Sequence, residues 1–352
     1  MTTERILAID VGLGTADILI AEPGRPPENF IKLVVPSRTQ IVAREIRDAT
    51  AHCATVVFRG ALMGGGASTS AMHDHVAAGL PFLATEEAAL TFADNLEHVE
   101  GRGVMLVSED EARHALLRGA RDVRSGDIDL DALMRALAGL GVEPAFSGGA
   151  VAVQDHGFNP HGSNRVFRFQ LWERALAAAC RVDELFYTLP EIPAELTRMR
   201  AAAGLLAGIP RVMAADTGPA ALFGALEEGI DDTVLVNVGN GHTICAVALG
   251  GRLAGVFEHH TAQLDGLSLE SLIVRFLAGE LNNDEVREAG GHGAAHGGPV
   301  PAGLPIFVTG PHRALITGTS LPVIYAAPFG DMMLTGAVGL AKAFAARHHL
   351  AL

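Results

Sequence analysis

The chain has 352 residues, room for two domains or one large one. Hydrophobic residues make up 49% of it and charged residues 19%, a balance that excludes a disordered chain and calls for a generous core. The formal net charge of -14 argues against duplex nucleic acid or an anionic membrane as a general partner, so an anionic ligand has to be bound locally.

Cys53, Cys180 and Cys245 are scattered and odd in number, a poor disulfide framework and a poor iron–sulfur or zinc ligand set. That usage predicts reduced thiols in the core and a cytoplasmic location. Met1 to Arg5 is polar, reads straight into a strand and shows no secretory signal. Apolar runs such as Val234 to Val238 are strand-length, far short of a membrane span.

In chain order, Ile6 to Ile20 reads as strand, glycine turn, strand, with apolar β-formers flanking Asp10-Val-Gly12-Leu-Gly14-Thr15. Apolar runs at Thr55–Phe58 and Val104–Val107 predict further strands. Thr85–Leu96 predicts a helix with Ala88, Ala89, Phe92 and Leu96 on one face. The mixture points to a layered α/β architecture. Met63-Gly64-Gly65-Gly66 fits either a loop that closely approaches a ligand or a flexible connection.

Ala145 to Arg168 is dense in turn formers (Gly148-Gly149, Asp155-His156-Gly157, Asn159-Pro160, Asn164-Arg165), which predicts a long ordered loop. Helices are expected at about Leu171–Ala179 and Ala194–Leu206. Next come a strand at Val212–Ala215, the turn Asp216-Thr217-Gly218-Pro219 and a helix over Ala220–Glu228. Thr233 to Ala248 then repeats the opening pattern: apolar run, Asn237, Val-Gly239-Asn240-Gly241, Thr243, apolar run. Two matching hairpins far apart in the chain indicate two lobes of related design. A helix at about Ser268–Ala278, the Gly/His tract Gly290–Gly298, a strand Ile306–Thr309 and a final helix to about Arg347 complete the chain.

A glycine turn between strands lets consecutive backbone N–H groups converge on a phosphate oxygen without a Cβ in the way. Thr15 and Thr243 add hydroxyl donors, and Asp10, ending its strand, is placed to hold the water shell of a magnesium ion. One such hairpin is equally well a plain structural turn; two of matching pattern favour phosphate binding. Fifteen histidines is a high count, and His156, His242, His292 and His296 sit beside glycines. His292 and His296 have the spacing of a partial metal set on a helix, but the surrounding glycines argue against a helix there. Loop histidines that bind phosphate, substrate or backbone are the other reading. Arg165 and Arg168 suit either a bidentate clamp or ion pairs with the loop's acids.

Asp10-x-Gly12-x-Gly14-Thr15 resembles the first phosphate motif of the actin/heat-shock chaperone/sugar kinase superfamily, and Asn237-x-Gly239-x-Gly241-x-Thr243 the second. Asp216-Thr217-Gly218 with Ala220-Ala221 resembles the first connecting segment, Val308-Thr309-Gly310 the adenosine motif, and Gly336-Ala337-Val338-Gly339 the second connecting helix. They occur in the superfamily's order across nearly the whole chain. The resemblance implies an α/β, two-lobed actin-like ATPase (ribonuclease H-like) fold with a ligand cleft between the lobes. The first lobe would cover 1–229 with a turn-rich insertion at about 145–168, the second 230–330, and a C-terminal helix in 331–352 would return to the first.

Within the superfamily the chain is similar to an uncharacterised bacterial and archaeal family sometimes labelled pyruvate formate-lyase-activating related. Met63–Gly66, Gln154–Gly157, Ser163–Arg165, Val238–Thr243, Glu258–Thr261 and Gly291–Gly293 carry that likeness. A radical activating enzyme needs three closely spaced cysteines for its cluster, and this chain has no such set.

Two classes of function follow from the resemblance. As an enzyme, the protein would hold ATP, or another phosphate or diphosphate ligand, against Gly12, Gly14, Thr15, Gly239, Asn240, Gly241, Thr243 and Gly310, with Mg2+ at Asp10. Asp10 and Asp216 would be the catalytic pair, Asp216 as base for a water or an acceptor hydroxyl. Asp155, His156, Arg165, Arg168, His242 and His260 would grip a small-molecule substrate. The reaction would be phosphotransfer or hydrolysis, or a group transfer that releases diphosphate during cofactor synthesis. As a nucleotide-gated activator, lobe closure would signal to a partner enzyme. A structural filament protein is a third reading, and the oligomeric state is left open, a dimer included. Asn237 stands where the superfamily carries Asp, one carboxylate fewer on that side, and Gly310-Pro311 replaces a fuller glycine pair.

Overall fold

The apolar runs flanking the first glycine turn pair as antiparallel strands, Ile6–Val11 with Thr15–Ala21, placing Asp10 opposite Asp17. Nearly every residue of both strands is buried, because both faces of this sheet are covered. The computed structural model describes residues 4–227 and 229–352. Ile31–Pro36 pairs with Thr15–Ala21; on the other side, Gly148–Val153 and then Val212–Ala215 add in parallel, with Phe186–Thr188 at the edge.

The second sheet repeats this plan. Thr233–Val238 and His242–Leu249 form its hairpin, Arg252–His260 adds beside it, and Ile306–Thr309 and Val323–Tyr325 add in parallel. Gly293–His296 closes the far edge. Both sheets therefore contain the strand order 3-2-1-4-5, with the first three strands antiparallel and the last two parallel to the first, plus one edge strand. This duplicated sheet is the two-lobed actin-like, ribonuclease H-like α/β fold.

Two helices join the lobes. Thr217–Ala225 leads toward the second sheet, and Thr335–Arg347 packs on the first, where Leu334, Val338 and Phe344 share a core with Ile6, Ala8 and Ala150. The helices touch backbone to backbone: a Cβ on Gly224 would collide with the Thr335 carbonyl, and one on Gly339 with that of Ala220. We propose the lobe division near residue 229, in the connection between Thr217–Ala225 and Thr233–Val238. The far end of the helix expected at Ala220–Glu228 lies outside the described residues at Glu228.

Several expectations are corrected. Gly148–Val153, placed by its turn formers in a long loop, is a fully buried strand beside Ile6–Val11. Its glycines read as turns, yet Gly148 is bare because the Phe344 ring occupies the space a Cβ would fill. The following helix begins earlier, as Asn164–Ala177, capped by the Ser163 hydroxyl. Thr85–Leu96 is not one helix but Glu86–Ala89 and Leu96–Glu100, since Asn95 accepts from Glu97 N–H and starts a new one.

Between Ile31–Pro36 and Gly148–Val153 lies an inserted four-stranded parallel sheet in the order Val104–Leu106, Phe82–Ala84, Val56–Gly60, Arg121–Ser125. It has its own core, including Val42, Ile46, Phe58, Met72 and Phe82. Of the three free cysteines only Cys245 is buried; Cys53 is exposed, so the core-thiol expectation holds for one position. Among the described residues, no helix is long and apolar enough to cross a membrane.

Candidate active site

A cleft of about 420 Å³ opens between the lobes. Asp10, Gly12, Leu13, Thr15 and Asp17 line it from the first hairpin, and Asn237, Gly239, Asn240, Gly241 and His242 from the second. Met63–Gly66, Gly310, Pro311, Met332 and Met333 complete much of its wall. Each glycine loop is closed by the same hydrogen bond: Gly12 N–H donates to Thr15 O at 2.8 Å, and Gly239 N–H to His242 O at 3.0 Å. The tips face each other. A Cβ on Gly14 would lie 3.6 Å from Asn240 Nδ2, and one on Gly241 3.3 Å from Leu13 Cδ2.

Asp10 and Asp17 flank the first loop as cross-strand neighbours, and Asp10 abuts Gly336 at the start of Thr335–Arg347. Asp10 Oδ1 and Asp17 Oδ1 are buried without a hydrogen-bond partner. Burial above all, with Asp17 and Asp216 adding, raises the Asp10 pKa well above the usual carboxylate value. Burial pushes Asp17 up to about 7, against a hydrogen bond with Thr15 and with help from Asp331. Two crowded, desolvated carboxyls with orphaned oxygens are a donor set that fits a hard divalent cation such as magnesium. The sequence reading missed Asp17; the signal was an acid inside an otherwise apolar strand, opposite Asp10.

Asp216 does not present a free carboxylate, which corrects its expected role as base. It caps Thr217–Ala225 by accepting from Gly218 N–H at 3.0 Å, and also accepts from Asp155 N–H at 2.9 Å. Arg168 donates to its two oxygens at 2.8 and 3.0 Å. Burial pulls the Asp216 pKa up, but the Arg168 charge and these bonds outweigh it and hold the carboxyl below its ordinary value. Arg168 lines the cleft, but most of its donors are committed within the protein. It is buried, and donates as well to Glu258 Oε2 at 2.7 Å and to the Asp155 carbonyl at 2.8 Å. Burial works against its charge, yet Asp216 and Glu258 hold the guanidinium protonated.

The other expected residues divide. His156 and His242 line the cleft, as does Asp155, whose carboxylate is spent on the N–H groups of Gly157 and Met199, each at 2.8 Å. Thr243 is buried and its hydroxyl bonds Thr261 Oγ1 at 3.0 Å, so it offers no donor to the cleft. Arg165 is exposed on the first turn of Asn164–Ala177 and lies outside the cleft lining. Gly310 lines the cleft at φ +97, packed on Val238 O and Asn237 Oδ1.

Four histidines converge beyond the second loop. His242 stands opposite His260 across paired strands, with ring centroids 4.7 Å apart, and His292 is 4.7 Å from His242 and 4.8 Å from His260. His156 Nε2 meets His292 Nε2 at 3.0 Å. Burial first, then the Arg168 charge among others, lowers these rings, His156 to about 3, His242 to about 4 and His292 to about 2, so all three are neutral near pH 7. His296, whose pairing with His292 the surrounding glycines argue against, lies in the strand Gly293–His296 and turns its Nε2 to the Leu281 carbonyl at 3.0 Å. Glu258, also missed, lies buried beside the group, bonded by Gln154 and Arg168. Its signal was an acid in the apolar strand that leads to His259-His260.

Fold and cleft together define a two-lobed actin-like protein. The chain belongs to the family described as "Putative pyruvate format-lyase activating enzyme (DUF1786)", which matches residues 63–315. No curated protein matches it. Among solved structures it is similar to a ROK family glucokinase from Streptomyces griseus in complex with glucose and AMPPNP, at 11% identity and a TM-score of 0.27, covering 71% of this chain and 46% of that one. The chain thus spans about half the length of the glucokinase. It is also similar to ethanolamine utilization protein EutJ from Carboxydothermus hydrogenoformans, at 13% identity and a TM-score of 0.34, covering 97% of this chain and 90% of that one.

Proposed function

We propose that the protein is an actin-like enzyme that binds ATP, or a related phosphate or diphosphate compound, with magnesium between its glycine loops, and moves a phosphoryl group to water or a small-molecule acceptor. The observation that carries this is the tip-to-tip placement of the two loops beside the orphaned oxygens of Asp10 and Asp17. Backbone N–H groups of Leu13–Thr15 and of Asn240 and Gly241 would grip the phosphate oxygens from opposite sides, the Gly12 and Gly239 N–H groups being used to close the loops. Asp10 would hold magnesium through its waters with Asp17 behind it, and the ion would supply charge neutralisation on the phosphates. His156 and His242 line the same cleft, as do Arg168 and Glu258, and would meet an acceptor there.

One observation favours a second reading. Neither Asp216, whose oxygens are filled, nor Asn237 offers a free carboxylate to activate water. A transferase that releases diphosphate needs the loops only for its leaving group. Phosphorus NMR separates the two: with MgATP and candidate acceptors, inorganic phosphate or a phosphorylated acceptor supports the first, and with diphosphate esters as donors in place of ATP, free diphosphate supports the second. Absence of binding to ATP, diphosphate and phosphate alike would overturn both.

A further inference from the structure

We infer that His242, His260 and His292 form a site for one divalent transition-metal ion, zinc in the first instance, in the cleft wall beyond the second glycine loop. One ring nitrogen from each lies within 4.8 Å of one from each of the others. A tetrahedral zinc site with bonds of about 2.0–2.1 Å sets its nitrogens roughly 3.3 Å apart, so the rings need draw together by only about 1.5 Å. His242 and His260 are direct cross-strand partners, and His292 N–H donates to Glu258 O at 2.9 Å as its segment enters the neighbouring strand Gly293–His296. Side chains on adjacent strands of one sheet hold a ligand set more accurately than loops do.

The cluster is hard to explain without an ion. Among the described residues, the rings of His242 and His260 make no side-chain hydrogen bond, and that of His292 makes one, to His156. His292 Nδ1 is buried with no partner at all. Native interiors rarely bury an imidazole nitrogen unsatisfied, so His292 Nδ1 calls for a partner, and His242 and His260 stand beside it with uncommitted rings. With Nε2 of His292 held by His156, its Nδ1 is the nitrogen left to bind, the arrangement by which ligating histidines are usually oriented.

Charge agrees. Arg168 faces the group but is answered by two carboxylates, Asp216 and Glu258, so the buried network carries one net negative charge, which favours a cation beside it. Arg165, on the exposed side, is the opposing cation. Three imidazoles select zinc, iron(II), cobalt, nickel or copper over magnesium or calcium, which separates this site from the one at Asp10. Three protein ligands also leave a position open, and His242 faces the cleft, so the ion would reach a substrate oxygen or a water there.

The test uses the full chain, stripped with chelator, then titrated with zinc by calorimetry and with cobalt(II) by visible absorption. We expect one zinc per chain and the intense cobalt band of a four-coordinate site. His242→Asn with His260→Asn should weaken zinc by more than about a hundredfold, beyond the loss usual for a supporting residue, with circular dichroism reporting the fold. Should the double variant fail to fold, His260→Gln alone, at a half-exposed position, should still cost about tenfold or more and change the cobalt spectrum. Asp10→Asn should leave zinc binding intact, which keeps this result separate from the fate of the magnesium and phosphate reading. No stoichiometric zinc in the wild type, undiminished binding in the histidine variants, or loss of zinc in Asp10→Asn would each overturn the assignment.

Discussion

Replacing Arg168 with methionine tests what the buried ion network contributes. Arg168 is 4% exposed, Asp216 9% and Glu258 1%. The guanidinium donates to both carboxylates over 2.7–3.0 Å, and methionine would keep much of the stem's packing while removing the charge. Two buried carboxylates then lack a counter-ion. Breaking a buried pair by removing one partner costs about 3–5 kcal/mol, and with two carboxylates stranded the upper half of that range is expected near pH 7.5. In the wild type the Asp216 pKa is depressed, so its contribution is present above the unfolded value and lost as pH falls through the folded one. In the variant burial acts on Asp216 without the opposing Arg168 charge, so its folded pKa should rise and its penalty should grow as pH rises from about 4. The gap between the two proteins should therefore be widest near pH 7.5 and narrow toward pH 4. Urea unfolding followed by circular dichroism at several pH values measures it, provided the slopes match. A loss below about 1 kcal/mol at pH 7.5, or a gap that widens in acid, would refute the argument.

Asp216→Asn should still cap Gly218 and cost about 1–3 kcal/mol of stability through its weakened bonds to Arg168, with turnover tracking the folded fraction. A drop in turnover of about a hundredfold at unchanged stability would instead restore Asp216 as a base. Asp17 sits near 7 when folded and near 3.8 otherwise, so ligand-free stability should fall as pH rises between those values. Asp17→Asn should flatten that slope and raise the melting temperature at pH 8; an unchanged pH profile contradicts the burial argument. Gly241→Val pushes a branched side chain at Leu13 across the cleft, so nucleotide affinity should fall about tenfold or more while the melting temperature moves by only a few degrees. Equal affinity in that variant would show that the two loops do not close on one ligand.

The fold class could be read from local signals. Asp10 to Thr15 and Asn237 to Thr243 each sit between apolar runs, and a hairpin needs little information from elsewhere in the chain. Gly148–Val153 was hidden because Gly148 answers to Phe344, nearly two hundred residues away, and Gly149 to Ile209, rather than to a turn. The inserted sheet was only half visible: the runs at Thr55–Phe58 and Val104–Val107 mark two of its strands, but Phe82–Ala84 is only three residues long and Arg121–Ser125 is mostly polar, so neither carries an apolar pattern. In the cleft, spacing located the glycines but could not say which polar groups were already spent. Asp216 looks available until Arg168 is placed against it, Thr243 until Thr261 is, and the four histidines come together only when the sheet is assembled.

The central claim, that the two glycine loops close on one magnesium-bound phosphate ligand, is tested most directly by calorimetry of ATP and of diphosphate, each with and without magnesium, on wild type and Asp10→Asn. The account predicts that at least one of the two binds with a single site per chain, that magnesium tightens it, and that Asp10→Asn removes the magnesium effect while the protein stays folded. Magnesium-independent binding, or equal binding in Asp10→Asn, would contradict it.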